Sequence, residues 1–167
     1  MGNRFTAHGS SAEPDELKLS NGGTDVFFDV LTLAGCDLAE TAWEQHLVLH
    51  FSDGHRLGRG TDGFDLSEIP WTANWRAEKE FFLRLIDTAA SRHGWDRLSY
   101  DPPYAAHWLT VYRAMTAGFT PVPATVPDPS DWVTAPREEQ LARCGRHDLY
   151  RGAEGCRLCD TWIQPRT

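Results

Sequence analysis

Long apolar runs are missing from this 167-residue sequence. Runs such as Leu47-Val48-Leu49 fall far short of the ~20 residues that a membrane-spanning helix needs, so no membrane partner is expected. Residues 1–20 carry no apolar segment of the kind that marks a secretory signal. The pattern Met1-Gly2-Asn3-Arg4-Phe5-Thr6 fits the loose consensus for N-myristoylation, and nothing else suggests a lipid anchor. Cysteine is scarce too. Four in the whole chain are too few for a disulfide scaffold, which suggests a reducing, cytoplasmic setting. Bases are outnumbered, 16 against 24 acids, for a net charge of −8 and a pI near 5.3. That balance argues against a protein whose main task is gripping phosphate backbones.

Recognisable catalytic signatures are absent as well. There is no Gly-x-Ser-x-Gly, Walker or kinase set, and Gly58-Arg59-Gly60 lacks the third glycine and the lysine of a phosphate loop. His46 and His50 are spaced to share a helix face, with His55 close behind. No Glu follows His46, however, so the metalloprotease pattern His-Glu-x-x-His is not met. A second metal on these histidines and a set of partly buried or surface histidines both remain open. Asp53, Asp62, Asp65 and Glu68 crowd one stretch without the Asp-x-Asp-x-Asp-Gly order of a calcium loop. Cys36 stands alone and reads as a small buried apolar residue, not a nucleophile. No constellation suffices for an enzyme.

What the chain does have is enough apolar residues, 41%, to bury a core. The fold class implied is α+β: a small mixed domain with two to three helices and a short sheet, plus a C-terminal zinc-binding tail. Residues 1–23, rich in Gly, Ser and Asn, read as a flexible arm. Residues 26–33 (VFFDVLTL) are β-branched and aromatic between glycines, and read as a covered strand interrupted by Asp29. Asp37-Leu38-Ala39-Glu40 resembles a capping box for a helix to about Phe51, favoured over a rival strand in which Leu47, Leu49 and Phe51 alternate. A brief strand is expected around residues 64–66. Residues 75–93 carry the clearest helical period, with Phe82, Leu85, Ile86 and Ala89 on one face, Asn74 as cap and Gly94 closing the end. A further helix opens after Asp101-Pro102 and ends near Gly118, its stripe formed by Tyr104, Trp108, Val111, Met115 and Phe119. Five of the ten prolines fall in residues 120–136, a semi-rigid spacer. The expected organisation is thus an arm (1–23), an acidic α+β domain (24–119), a spacer (120–136) and a tail (137–167).

The tail holds the strongest motif. Cys144-x2-His147 and Cys156-x2-Cys159 are two ligand pairs, each presentable to one ion by a tight turn, with Gly145 and Gly155 supplying backbone freedom. A segment this polar has little core of its own, and a metal is the usual substitute. All four ligands come from protein, so a structural zinc ion is the expected cofactor. The spacing resembles a short zinc ribbon or zinc knuckle. Arg143, Arg146, Arg151 and Arg157 surround it and could touch nucleic acid or an acidic partner.

Charge separates the two parts. Residues 24–71 hold nine acids against two bases, whereas residues 134–167 hold six arginines against five acids. An acidic body of this kind steers association with a basic protein partner, and Asp53, Asp62, Asp65, Glu68 and Trp71 are the candidate contact residues. The body, with Gly63-Phe64-Asp65-Leu66 ahead of Ile69-Pro70-Trp71, then Ala89-Ala90 and Trp95, loosely resembles the cytoplasmic immunity proteins of bacterial toxin systems. That resemblance implies a non-enzymatic toxin inhibitor that covers a basic toxin. The alternative is a nucleic-acid-associated or regulatory protein acting through its zinc tail.

Overall fold

A computed structural model describes residues 2–54, 63–123 and 132–159 of the chain. The fold is α+β: a two-stranded antiparallel hairpin, β1 (Gly2–Thr6) and β2 (Glu16–Ser20), followed by α1 (Asn21–Leu38), α2 (Ala42–Asp53), α3 (Trp75–Ala90), α4 (Ala105–Gly118) and a four-residue α5 (Glu138–Leu141).

The N-terminal residues are a structural part of the domain, not a flexible arm. β1 and β2 pair from Gly2 opposite Ser20 to Thr6 opposite Glu16. Their alternation puts Phe5, Leu17 and Leu19 into the core and Arg4 and Lys18 outward, the period-2 pattern of a half-buried ribbon. Phe5 packs edge-on against Phe27, Phe28, Phe64 and Tyr112. Composition misled here because the Gly/Ser-rich stretch is the connection between strands, whereas the strands are short.

Residues 26–33 are the middle of helix α1, not a strand. Ser20 caps this helix by accepting from Gly23 N at 3.0 Å. From Gly23 to Cys36 every residue is buried, because α2, α3, α4, the hairpin and the tail all pack around α1. A helix surrounded on all sides loses its amphipathic period, and an apolar run then reads equally well as a buried strand. Gly35 sets the α1–α2 approach: a Cβ there would lie 2.5 Å from Val48 Cγ2.

The α2 helix is where the sequence places one, but its capping box is Thr41 with Glu44 rather than Asp37 with Glu40. Asp37 instead faces cations, described below. The strand expected at 64–66 is a single parallel bridge between Thr6 and Asp65, followed by a 3₁₀ turn at Leu66–Glu68. α3 matches its expected face, with Phe81, Phe82, Leu85, Ile86 and Ala89 buried; Asn74 makes no side-chain cap bond. α4 is rotated from the expected stripe. Ala105, Leu109, Tyr112, Met115 and Thr116 are its buried residues, and Tyr104 is 68% exposed. Small Ala105 and hydroxyl-bearing Tyr112 and Thr116 hid that face from a hydropathy count.

Past the proline-rich stretch the chain returns to α2. Trp132 lies against Trp43, His46 and His50, and His46 Nε2 is 2.7 Å from the Thr134 carbonyl. Leu149, Tyr150 and Cys156 then join the same buried cluster as the helices. The body and the described part of the tail therefore share one core.

Candidate metal centre

Two turns build the centre. Arg143 and Tyr150 form an antiparallel bridge, Cys144 N donates to Leu149 O at 2.8 Å and Asp148 N to Cys144 O at 2.8 Å. This closes a loop in which Cys144 and His147 face the same side. Asp148 adopts a left-handed φ of 57°, a conformation short polar side chains tolerate. Farther on, Gly152 at φ 59° lets the backbone pass directly over Asp53, whose Oδ1 would lie 2.2 Å from a Cβ. The 3₁₀ turn Arg157–Cys159, with Cys159 N donating to Cys156 O, presents the second pair.

The four side chains converge. Their ligand atoms all lie within 4.8 Å of one another. Cys144 Sγ and Cys159 Sγ are 3.5 Å apart, and His147 Nδ1 is 3.9 Å from Cys144 Sγ, 3.6 Å from Cys156 Sγ and 3.3 Å from Cys159 Sγ. Cys156 is buried and Cys159 exposed, so the centre has a dry side against the body and a wet side. All four cysteines of the chain are free thiols. Together the four residues could hold a metal ion.

Electrostatics within the group favour one thiolate and oppose the next. Partial desolvation resists ionisation of Cys144, but hydrogen bonds from the His147 and Arg146 backbone and from the His147 side chain outweigh it and bring the thiol down to about 6. Burial pushes Cys156 up to about 12, and Cys159 is raised by desolvation and by the neighbouring Cys144 sulfur. Thiolates packed this closely repel one another, a cost that a divalent cation removes.

The arginine preceding each ligand pair, or lying inside it, is tied to α1. Arg143 Nη1 donates to Asp37 Oδ1 at 3.0 Å and Nη2 to the Cys36 carbonyl at 2.5 Å. Asp37 also takes His93 Nε2 at 2.7 Å and Arg97 Nη2 at 3.1 Å, and Arg97 Nη1 reaches the His147 carbonyl at 3.3 Å. Desolvation raises the Asp37 carboxyl, but these three donors together hold it below its ordinary value. Arg157, between Cys156 and Cys159, is 5% exposed. Its Nε donates to Asp29 Oδ1 at 2.5 Å and its Nη2 to Asp25 Oδ1 at 3.1 Å, while Nη1 faces the carbonyls of Phe51, Ser52 and Gly54. Tyr100 Oη donates to the other Asp29 oxygen at 2.5 Å.

Of the residues singled out as partner contacts, Trp71 and Asp65 are buried and Glu68 is exposed. Trp71 is 2% exposed, packed against Trp43 and Phe82 with its indole N–H donating to the Leu66 carbonyl; it does not face a partner. Asp65 is buried and accepts from Thr6 Oγ1, His8 N and Ser67 N. Glu68 accepts from Asp65 N, and Asp53 accepts from Ala153 N in the tail. Asp62 and His55 lie outside the described residues. His46 stacks on Trp132 and His50 lies tilted against it, and neither joins a group of three or more metal-ligating side chains among the described residues. Cys36 is the buried small residue expected, with Tyr150 N on its sulfur at 3.4 Å and burial pushing its thiol up to about 12. Of the four arginines that surround the ligands, Arg143, Arg146 and Arg151 are exposed and Arg157 is buried; Arg143 and Arg157 pair with carboxylates of the body.

Sequence reasoning missed Asp25, Asp29, Asp37 and Tyr100. The available signal was the i, i+4 spacing of Asp25 and Asp29 inside an apolar run, which has meaning only on a helix. Comparison with protein-family models, with curated proteins and with solved structures gives no match to this chain. Neither the knuckle nor the immunity-protein resemblance gains a relative from them. No helix among the described residues is long and apolar enough to cross a membrane.

Proposed function

We propose that Cys144, His147, Cys156 and Cys159 hold one structural zinc ion, and that the protein is a non-enzymatic binding protein whose acidic body docks on a basic protein partner. The ligand spacing carries the metal part. Tetrahedral zinc with Zn–S near ~2.3 Å and Zn–N near ~2.05 Å requires sulfurs about 3.8 Å apart and sulfur-to-nitrogen separations of about 3.6 Å. The observed nitrogen–sulfur separations of 3.3, 3.6 and 3.9 Å bracket the second value, and the 3.5 Å sulfur pair lies slightly below the first. Three thiols and an imidazole suit zinc over harder cations, and four protein ligands leave no open position for a substrate or an activated water. His147 would bind through Nδ1. Support for the binding role is the charge, −8 over the chain; neutralising a toxin is one form that such binding could take.

Elemental analysis of the purified chain tests the metal: one zinc per chain is expected, with loss in Cys156→Ser. Zinc retained by that variant, or none in the unaltered protein, would overturn the assignment. For binding, titration against small basic and acidic proteins should show salt-sensitive affinity for the basic ones alone. Equal affinity for both would refute it.

A further inference from the structure

The three sulfurs of the candidate metal centre differ in what surrounds them. Cys156 is 7% exposed and belongs to the buried cluster shared by body and tail, whereas Cys144 is half-buried and Cys159 exposed. The two outer sulfurs are also close, with Cys144 Sγ and Cys159 Sγ 3.5 Å apart. A small solute in water therefore meets two neighbouring sulfurs on the wet side. Cys36, the remaining cysteine, is buried with Tyr150 N on its sulfur and lies outside the group of four ligands.

The loops that present these sulfurs are held by more than the ligands. Arg151 N donates to Ala142 O at 2.8 Å, Gly152 N to Gln140 O at 2.9 Å and Ala153 N to Asp53 Oδ1 at 3.1 Å. Bonds from Cys144 N to Leu149 O and from Cys159 N to Cys156 O close the two turns themselves. Leu149, Tyr150 and Cys156 sit in the core, and Arg157 is bound by Asp25 and Asp29. Loss of an ion therefore leaves Cys144 and Cys159 as neighbours. Two groups kept together by a folded frame react at a high effective concentration.

We propose that Cys144 and Cys159 form an oxidant-sensitive pair: hydrogen peroxide joins them as a disulfide, and the centre gives up its metal while the surrounding fold stays closed. The metal release rests on the zinc reading above; the pairing rests on the positions of the sulfurs. Cys159, on the wet side, meets the peroxide. Its thiolate, already deprotonated as a metal ligand, attacks one peroxide oxygen. The O–O bond breaks, a sulfenic acid forms, and the departing hydroxide takes a proton from solvent. The Cys144 thiolate then attacks the Cys159 sulfur; the S–S bond forms, the S–O bond breaks, and a second hydroxide leaves and is protonated. The sulfur pair loses two electrons and the peroxide is reduced to two waters. His147 and Cys156 alone remain, too few for a closed tetrahedral site, and the ion leaves as Zn²⁺. Cys156 is the poorer partner for Cys159, because turning its side chain outward withdraws it from a packed core.

The test is peroxide treatment of the zinc-loaded chain, with released zinc followed by a metal-sensitive dye, free thiols counted, and disulfides mapped by tryptic digestion and mass spectrometry. Arg143, Arg146, Arg151 and Arg157 divide Cys144, Cys156 and Cys159 among separate tryptic peptides, so each pairing has its own mass. Zinc should be released in step with disulfide formation, two of the four free thiols should be lost, and the Cys144 and Cys159 peptides should be the linked pair. The helical circular dichroism signal should not change, and dithiothreitol with added zinc should restore both thiols and metal. Zinc retained under peroxide, a Cys156–Cys159 link in place of the expected one, sulfinic acid without a disulfide, or loss of the helical signal with the zinc would each overturn the proposal. If the chain takes up no zinc, the zinc reading fails and the release with it, and the tryptic map of the same chain after peroxide still decides the pairing.

Discussion

Arg157→Met is the most demanding perturbation of this structure. Methionine keeps the volume of the arginine stem and removes the charge. The side chain it replaces is 3% exposed, facing Asp25 and Asp29 side chains that are 9% and 12% exposed. Three solvent-poor groups are therefore involved, and screening by water gives little relief. Removing one partner of a buried pair costs about 3–5 kcal/mol, because the carboxylates stay behind in a dry site. The carbonyls of Phe51, Ser52 and Gly54 lose a charged donor as well, which places the expected loss at the upper end. For a chain of this size each kcal/mol is worth roughly 2–4 °C, so the midpoint should fall by roughly 10–20 °C. The assay is thermal unfolding followed by circular dichroism in excess zinc, which keeps metal occupancy constant. The triple change Asp25→Asn, Asp29→Asn, Arg157→Met is the control: it removes the stranded charges and should recover most of the loss. A single-variant midpoint within about 3 °C of the unaltered protein, less than ~1 kcal/mol, would refute the reasoning and show that the guanidinium contributes little where it sits.

Three other perturbations follow from the packing and the charges. Gly35→Ala puts a methyl group 2.5 Å from Val48 Cγ2 and should cost about 1–3 kcal/mol by forcing α1 and α2 apart, read by urea denaturation as a lower midpoint at unchanged slope. Asp65 is held below its ordinary carboxyl value: desolvation raises it, but bonds from Ser67, Thr6 and His8 outweigh that. A folded-state value below the unfolded one means the stabilisation is present above about pH 4 and is lost as pH falls through the folded value; Asp37 behaves alike. Stability should therefore drop on acidification below about pH 4, with a shallower slope in Asp65→Asn, and an unchanged slope would contradict the assignment. Stripping zinc should lower the midpoint of the whole protein, by roughly 8–16 °C if the ion was present at a thousand times its dissociation constant. Melting of the tail alone, with the helices untouched, would contradict the shared core.

How much of this was legible in the sequence depended on whether the signal was local. The candidate metal ligands were readable because the members of each pair have two residues between them and meet through turns of a few residues. α3 was readable because one face meets the core and the other meets water, so hydropathy carries its period. α1 was not, because being enclosed on all sides erases that period, and VFFDVLTL looks the same in a buried strand. That one misassignment hid the rest of the site. On a strand Asp25 and Asp29 are merely two acids in an apolar run; on a helix they are adjacent and point to one place, and only then does Arg157 acquire a partner. Trp71 failed for a related reason. It follows an acid-rich stretch in sequence, but its neighbours in space are Trp43, Phe82 and Phe119, and nothing local reports that.

The charge asymmetry between body and tail also takes on a different meaning once the two are seen together. As a sequence pattern, an acidic body with an arginine-bearing tail suggests two modules facing two partners. In the structure, Asp25, Asp29 and Asp37 meet Arg157 and Arg143, so a good part of the acid excess is neutralised within the chain. The arginines sit beside the metal ligands, one next to Cys144 and one between Cys156 and Cys159. Ordering the ligand loops on a metal therefore delivers both guanidinium groups to α1 without further loss of chain entropy. Conversely, α1 with its carboxylates in place pre-positions the loops for the metal. Two contacts that share the same ordered segment must assist each other by the same free energy in both directions. Breaking the Arg157 or Arg143 contacts with these carboxylates should then weaken metal binding, and a bound metal should strengthen those contacts.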